Sequence, residues 1–286
     1  MGPTASGKTD LAERLAEILE AQLINADAFQ VYRGMDLGTA KPENKGRYQL
    51  LDLKDPNQQY GVGEFCRDAL AELQNLYKHQ TSAILVGGTG FYIRALLGEY
   101  DALQSQPNPE LRENLQARLK KEGLQPLVEE LLTKDPNTKI DIKNPVRVTR
   151  ALERLADPNP PIKVDLPPFN TLKLGIEMEV DLLNRRIEER TARMVQNGWV
   201  QEVRQLLDSG YGPGDPGFRA IGYSEIARHL TDGTDLEEAT AAATAETRRY
   251  AKRQRTWLRS EPSLVRISGG DDALATALSA VRAMHV

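Results

Sequence analysis

Residues 2–9 read GPTASGKT, from Gly2 to Thr9, and this stretch decides the fold. A glycine, four residues, then glycine, lysine and a hydroxyl residue form the pattern of a phosphate loop. Gly2 and Gly7 let backbone amides turn toward an anion, Lys8 adds a full positive charge, and the Thr9 hydroxyl is placed to hold magnesium. Such a loop must open a helix whose amino terminus faces the phosphate. In TDLAERLAEILEAQ, Leu11, Leu15 and Leu19 recur at helical spacing, so that helix is expected directly after the loop. Polyphosphate binding by Gly2, Thr4, Ala5, Ser6, Gly7, Lys8 and Thr9 follows from these residues. The reaction does not: most such loops serve nucleotide hydrolysis or phosphoryl transfer, so an ATP-binding small-molecule kinase is the default.

A phosphate loop normally hangs from a buried strand, and here only Met1 precedes it. The expectation is that the first core strand is missing from this chain, that the true start lies upstream, and that the chain as written is poorly stable or weakly active.

Working outward, LIN reads as a short buried strand ending at Asp27, and SAILVGGTG as a second apolar strand ending in a glycine turn at Thr89. Between them EFCRDALAELQNLYKH has helical periodicity. Strands alternating with helices define an α/β, P-loop NTPase-like fold, a mostly parallel sheet flanked by helices. Its ligand site lies beyond the carboxyl ends of the strands, where Asp27 and Thr89 fall. From 107 to 168 the texture becomes charged and helix-prone, as in ELRENLQARLKKEGLQPLVEELL, and reads as an all-helical insertion into a core of 1–106 and 169–286. LKLGIEM returns the chain to the sheet. LLNRRIEERTARMVQNG and WVQEVRQLLDSG are two helices closed by glycine. A long helix through RRYAKRQRTWLRS, a strand SLVRIS and a terminal helix ending near Met284 complete the chain.

Composition narrows the function. Cys66 is the sole cysteine of 286 residues, which excludes an internal disulfide or a cysteine metal cage and suits a reducing cytoplasm. His79, His229 and His285 lack ligand spacing, so zinc is not expected. No signal-like stretch or long apolar run points to secretion or a membrane. The net charge of −4 argues against a general nucleic-acid coat but leaves room for a local basic surface that engages one RNA. RRYAKRQRTWLR supplies that surface: Arg248, Arg249, Lys252, Arg253, Arg255 and Arg259, interleaved with Tyr250 and Trp257. It suits phosphates and unstacked bases; equally, it reads as a solvated helix with its aromatic residues turned into the core.

Taken in order, NADAFQVYRGMDLGTAKP, LLDLKDP, ILVGGTGFY, FRAIGY and RRYAKRQRTW resemble the tRNA dimethylallyltransferase family, from Gly2 to near Arg266 and less closely in the insertion. The resemblance implies that the loop, with magnesium, holds the diphosphate of dimethylallyl diphosphate. The five-carbon group then moves to the exocyclic amine of the adenine 3′ of the anticodon in tRNA. It implies that Asp27 is the general base; the residue alone also reads as a helix cap or a magnesium ligand. Arg219 in FRAIGY becomes a further diphosphate-binding and catalytic arginine, otherwise a surface ion pair, and Thr89 a catalytic contact, otherwise part of a tight turn. On the tRNA side the resemblance implies Gln30, Thr39, Lys41 and Asp52 near the base, and Arg248, Lys252 and Arg253 on the anticodon stem-loop. A monomeric cytoplasmic enzyme is expected. Departures from the family pattern fall at Ala28, where serine is usual, at Val180, where arginine is usual, and in the short proline-rich end of the insertion. Rival readings are transfer to free adenine nucleotide, a kinase, and an inactive tRNA-binding protein.

Overall fold

The computed structural model describes residues 1–98, 108–156 and 165–284; the boundary expected at 106/107, the prolines of 157–164 and His285 lie outside them. The chain forms two compact units, Met1–Leu97 with Val164–Val286, and Gly98–Lys163.

In the first unit the order is α1 (Lys8–Ile18), β1 (Gln22–Asn25), β2 (Tyr48–Gln49), α2 (Val62–Lys78), β3 (Ala83–Val86) and α3 (Gly90–Leu96). The second unit supplies α4 (Pro109–Glu122), α5 (Gln125–Lys134) and α6 (Pro145–Ala156). The first unit resumes with β4 (Lys173–Glu177), α7 (Val180–Gln196), α8 (Trp199–Asp208), α9 (Tyr223–Asp232), α10 (Leu236–Arg259), β5 (Leu264–Ser268) and α11 (Ala273–Met284). These elements follow from local chemistry. The apolar repeat of α1 buries Leu11, Ala12, Leu15 and Ala16. The Asp235 carboxylate caps α10 by accepting from the amides of Glu237 at 2.7 Å and Glu238 at 3.3 Å, with acidic residues in the first turn and Arg259 in the last.

Every strand pairing among these elements is parallel, but the strands form two sheets, ordered β2-β1-β3 and β4-β5. In the first, Leu23 of β1 lies opposite Tyr48 and Ile84; in the second, Gly175 lies opposite Arg266. Met1 joins the second sheet as one paired residue: its amino group donates to the Leu174 carbonyl at 2.6 Å and its carbonyl accepts from the Ile176 amide at 3.0 Å. Between β3 and β4 lies a cavity of ≈ 730 Å³, walled by Ala83 to Val86 on one side and Leu172 to Leu174 on the other, with Leu11 and Leu15 of α1 against it. Met1 lines this space too, and its apolar walls have the character of a strand position in a parallel sheet. Leu11, Leu15, Ile176, Ile267 and Ala277 pack into one cluster beside it.

The second unit has its own core of Leu115, Leu127, Val128, Leu131, Val148 and Leu152. Its buried Glu153 is matched by Arg112 at 2.8 Å and Arg150 at 2.6 Å, as a buried carboxylate requires. Among the described residues no helix is long and apolar enough to cross a membrane.

Candidate active site

The phosphate loop turns through two left-handed residues, Ala5 at φ 63° and Gly7 at φ 84°; only glycine adopts the latter without strain. This conformation turns successive amides to one side, as in an anion nest. α1 then starts at Lys8 with no side-chain cap, so its first amides and the positive end of its dipole face the loop's interior. The Thr4 hydroxyl accepts from the Arg190 guanidinium at 2.5 Å, while the Thr4 amide donates to Gln254 Oε1 at 2.8 Å. Gln254 Nε2 in turn donates to the Gly88 carbonyl at 3.0 Å, so one side chain of α10 clips the phosphate loop to the loop after β3.

β1 and β3 are neighbours in register, which sets their carboxyl ends side by side. Beyond β1, the buried Asn25 accepts from the Asp27 amide at 3.1 Å and donates to the Leu50 carbonyl at 3.0 Å, fixing the turn. Asp27 Oδ1 accepts from the Phe29 amide at 3.0 Å. Thr89 Oγ1 accepts from the Ala28 amide at 3.2 Å, and the Tyr250 hydroxyl, close to Thr89 and Gln254, feels both. Asp27, Thr89 and the phosphate loop are therefore brought to one place.

The charge there is unbalanced. Lys8 and Arg190 both feel the Asp27 carboxylate, so two cations share one anion in a desolvated pocket. Burial is the main cause that lowers Lys8 to about 8; Arg190 adds to it and Asp27 opposes it. Burial likewise lowers Arg190 to about 10, again against Asp27. It also raises the hydroxyls of Tyr92 and Tyr250, with the Asp27 charge adding in each case, so both remain protonated donors. Arg219 stands outside this group, exposed on the 3-10 turn Gly217–Arg219, where its charge acts on the Tyr32 hydroxyl.

Gln30, Thr39, Lys41 and Asp52 form a second, separate cluster. Gln30 Nε2 donates to the carbonyls of Thr39 at 3.1 Å and Ala40 at 3.0 Å, and the Thr39 hydroxyl donates to the Met35 carbonyl at 2.5 Å. The Lys41 side chain is only 1% exposed: its ammonium donates to the Tyr32 carbonyl, Asp36 and Asp52, making it an internal strut of the loop. Glu202 of α8 holds the loop from behind. Its carboxylate accepts from the amides of Asp36 at 2.8 Å, Leu37 at 2.7 Å and Gly38 at 3.2 Å, and from the Tyr223 hydroxyl at 2.7 Å.

On α10 the outward cations are loosely engaged. Arg248 pairs with Glu188, Arg249 and Arg253 share Glu246, and Lys252 is exposed. Arg253 also lies 5.7 Å over the Tyr250 ring. The solvated-helix reading describes the cations, while Tyr250 and Trp257 are only partly buried. Leu258 and Gln254 face inward, and the cations face solvent. Sequence reasoning passed over Arg190, Gln254, Tyr250 and Glu202 as site residues. One usable signal was present, because Arg186 and Arg190, and likewise Tyr250 and Gln254, are spaced four apart on one helix face.

An uncapped helix behind a phosphate loop, buried cations and a carboxylate at the neighbouring strand end define a phosphate-loop α/β enzyme. Comparison with known proteins sharpens this. The family model for IPP transferase matches residues 30–261. The tRNA dimethylallyltransferase of Geobacter sulfurreducens is 39% identical over 278 residues, 92% of this chain and 88% of that protein. The tRNA dimethylallyltransferase 1 of Pelobacter propionicus is 39% identical over 279 residues, 92% of this chain and 89% of that one. Among solved structures, the full-length tRNA isopentenylpyrophosphate transferase of Bacillus halodurans superposes with TM-score 0.72 at 32% identity, covering 99% of this chain and 94% of that one. A eukaryotic dimethylallyltransferase acting on tRNA shares the fold, with TM-score 0.77 at 22% identity over 97% of this chain and 76% of that one. The chain belongs to the IPP transferase family.

Proposed function

We propose that this protein transfers the dimethylallyl group of dimethylallyl diphosphate to the exocyclic amine of the adenine 3′ of the anticodon in tRNA, releasing diphosphate. The observation that carries this reading is the meeting of Asp27 with the phosphate loop: a carboxylate at a strand end, beside buried cations, with Thr89 alongside. A carboxylate there is useless as a phosphate ligand but well suited to take a proton. The adenine amine is a weak nucleophile because its lone pair is delocalised into the ring. As its nitrogen forms a bond to the allylic carbon, Asp27 accepts the departing proton and the carbon–oxygen bond breaks with its electron pair going to diphosphate. The leaving group gains charge, and donors already aimed at it, Lys8 and the loop amides, stabilise that charge more in the transition state than in the ground state.

Magnesium fits this site only in part through the protein. Among the described residues no group of three or more histidine, cysteine or acidic side chains gathers to hold a metal. Thr9 is the protein ligand we assign, with diphosphate and water completing the shell, and the ion would neutralise charge on the leaving group. Arg219 is assigned to the diphosphate, Gln30, Thr39 and Asp52 of the second cluster to the base, with Lys41 bracing their loop from inside, and Arg248, Lys252 and Arg253 to the tRNA backbone. The same reading makes the enzyme a cytoplasmic monomer.

The test is incubation with labelled dimethylallyl diphosphate, magnesium and unmodified tRNA, with AMP as a competing acceptor. Label on tRNA is expected. Label on AMP, or transfer of the γ-phosphate when ATP replaces the donor, would overturn the reading.

A further inference from the structure

We infer that Gln254, on the inward face of α10, is a positioning residue: its side-chain amide sets the distance between the phosphate loop and the turn that carries Thr89, and with it the gap the dimethylallyl group crosses. The inference rests on the transfer reaction proposed above.

Three observations support it. First, Gln254 is buried, 7% exposed, on a helix face whose other inward residues include Ala243, Ala251 and Leu258. A polar side chain in such company costs stability unless both ends of its amide are bonded, and here both are. Oε1 accepts from the Thr4 amide at 2.8 Å, and Nε2 donates to the Gly88 carbonyl at 3.0 Å. Second, both partners are backbone groups beside the reacting positions. Thr4 belongs to the phosphate loop, and Gly88 immediately precedes Thr89, whose hydroxyl holds the Ala28 amide next to Asp27. One rigid planar group therefore joins the leaving-group side of the site to its acceptor side. Third, the turn is shaped to admit α10. A Cβ on Gly88 would sit 2.2 Å from Gln254 Nε2, and one on Gly90 would sit 2.3 Å from the Trp257 ring. Gly88 does not have a left-handed φ, so its missing side chain answers to the Gln254 amide and not to backbone conformation. Gln254 and Trp257 are three residues apart on one helix face, and each fills the space over one of the glycines that flank Thr89. Since a misplacement of about 1 Å between reacting groups costs about 10²-fold in rate, a spacer of this kind acts on the chemistry more than on either binding site.

The test is single-turnover transfer by the full chain with saturating labelled dimethylallyl diphosphate, magnesium and unmodified tRNA, in Gln254→Met, Gln254→Ala, Gly88→Ala and the Gly88→Ala/Gln254→Ala double variant. Gln254→Met keeps the length of the side chain and loses both hydrogen bonds. Its transfer rate is expected to fall about 10- to 100-fold, while affinities for inorganic diphosphate and for tRNA each stay within about threefold, a split that a general loss of stability does not produce. Gly88→Ala drives the Gln254 amide out from the other side and should lose a comparable factor. The double variant should lose no more than about threefold beyond Gln254→Ala, because one link can be broken only once. Without reference to turnover, hydrogen exchange of the Thr4 amide should quicken in Gln254→Met. A Gln254→Met rate within about twofold of the parent, single losses that multiply in the double variant, unchanged exchange at Thr4, or a loss seen only as weaker affinity for one substrate overturns the inference. If Gln254→Met does not fold, Gly88→Ala decides by the same limits. Should the parent move no dimethylallyl group, the transfer reading falls. Faster Thr4 exchange in Gln254→Met then still establishes the link, and equal exchange overturns it.

Discussion

Replacing Glu202 by glutamine gives a quantitative test of how the loop bearing Thr39 and Lys41 is held. Each carboxylate oxygen accepts two donors: Oε2 takes the amides of Asp36 and Leu37, and Oε1 takes the Gly38 amide and the Tyr223 hydroxyl. Glutamine keeps one accepting oxygen and turns an amide group toward the other two donors. Two charge-assisted bonds vanish and two donors lose their partner, at about 1–3 kcal/mol each, so about 2–4 kcal/mol in total allowing for relaxation. For a unit of this size each kcal/mol corresponds to roughly 2–4 °C, and the melting temperature should fall by about 5–12 °C. Thermal unfolding followed by circular dichroism reads this directly. Tyr223→Phe removes one donor and should cost about 1 kcal/mol, a smaller step on the same scale. Because the loop also carries the second polar cluster, Glu202→Gln should raise KM for tRNA more than KM for the donor. A melting temperature within 2 °C of the parent, roughly the effect of one weak surface contact, would refute the reasoning.

Other outcomes follow from the site and from the divided sheet. Asp27→Asn should lower kcat by about 10²–10⁴ while diphosphate binding persists, and full turnover at saturation would remove Asp27 as the base. Lys8, lowered to about 8, loses its proton as pH rises past that value, so diphosphate affinity should be flat below pH 8 and fall by up to about tenfold per unit above it. Lys8→Gln provides the reference for the ligand's own ionisation, and matching slopes for the two proteins would contradict the assignment. Four β-branched apolar residues placed ahead of Met1 should enter the cavity between β3 and β4 and stabilise the chain by a net of about 2–4 kcal/mol after backbone ordering. Hydrogen exchange at Ala83 to Val86 checks this; unchanged exchange would mean that the walls do not accept a strand.

Much of the fold was legible because periodicity and punctuation agree along the chain. The leucine repeat after Thr9 gave α1, short β-rich runs gave β1, β3 and β4, and Gly198 and Gly210 marked the ends of α7 and α8. β2, only two residues long, was not legible, since two residues carry no pattern, and neither was the division into two sheets, which depends on partners distant in sequence. The chemistry-bearing Asp27 and Thr89 could be placed at strand ends by topology alone. Their supporting residues could not. Gln254 and Tyr250 sit among cations that dominate the look of their segment, and Glu202 is one glutamate among many until the fold sets it under three consecutive amides. Lys41 reads from sequence as a cation offered to a ligand, but its position between Asp36 and Asp52 commits it to the loop itself.

The dual commitment of α10 sets a limit on how independently the two substrates bind. A helix of 24 residues is a stiff rod, with Gln254 latched to Thr4 and Gly88 on one side and a row of cations on the other. Any load that tilts the rod from its outer side is registered at the latch. Thermodynamic reciprocity then requires that whatever factor one guest imposes on the other's affinity be returned in equal measure.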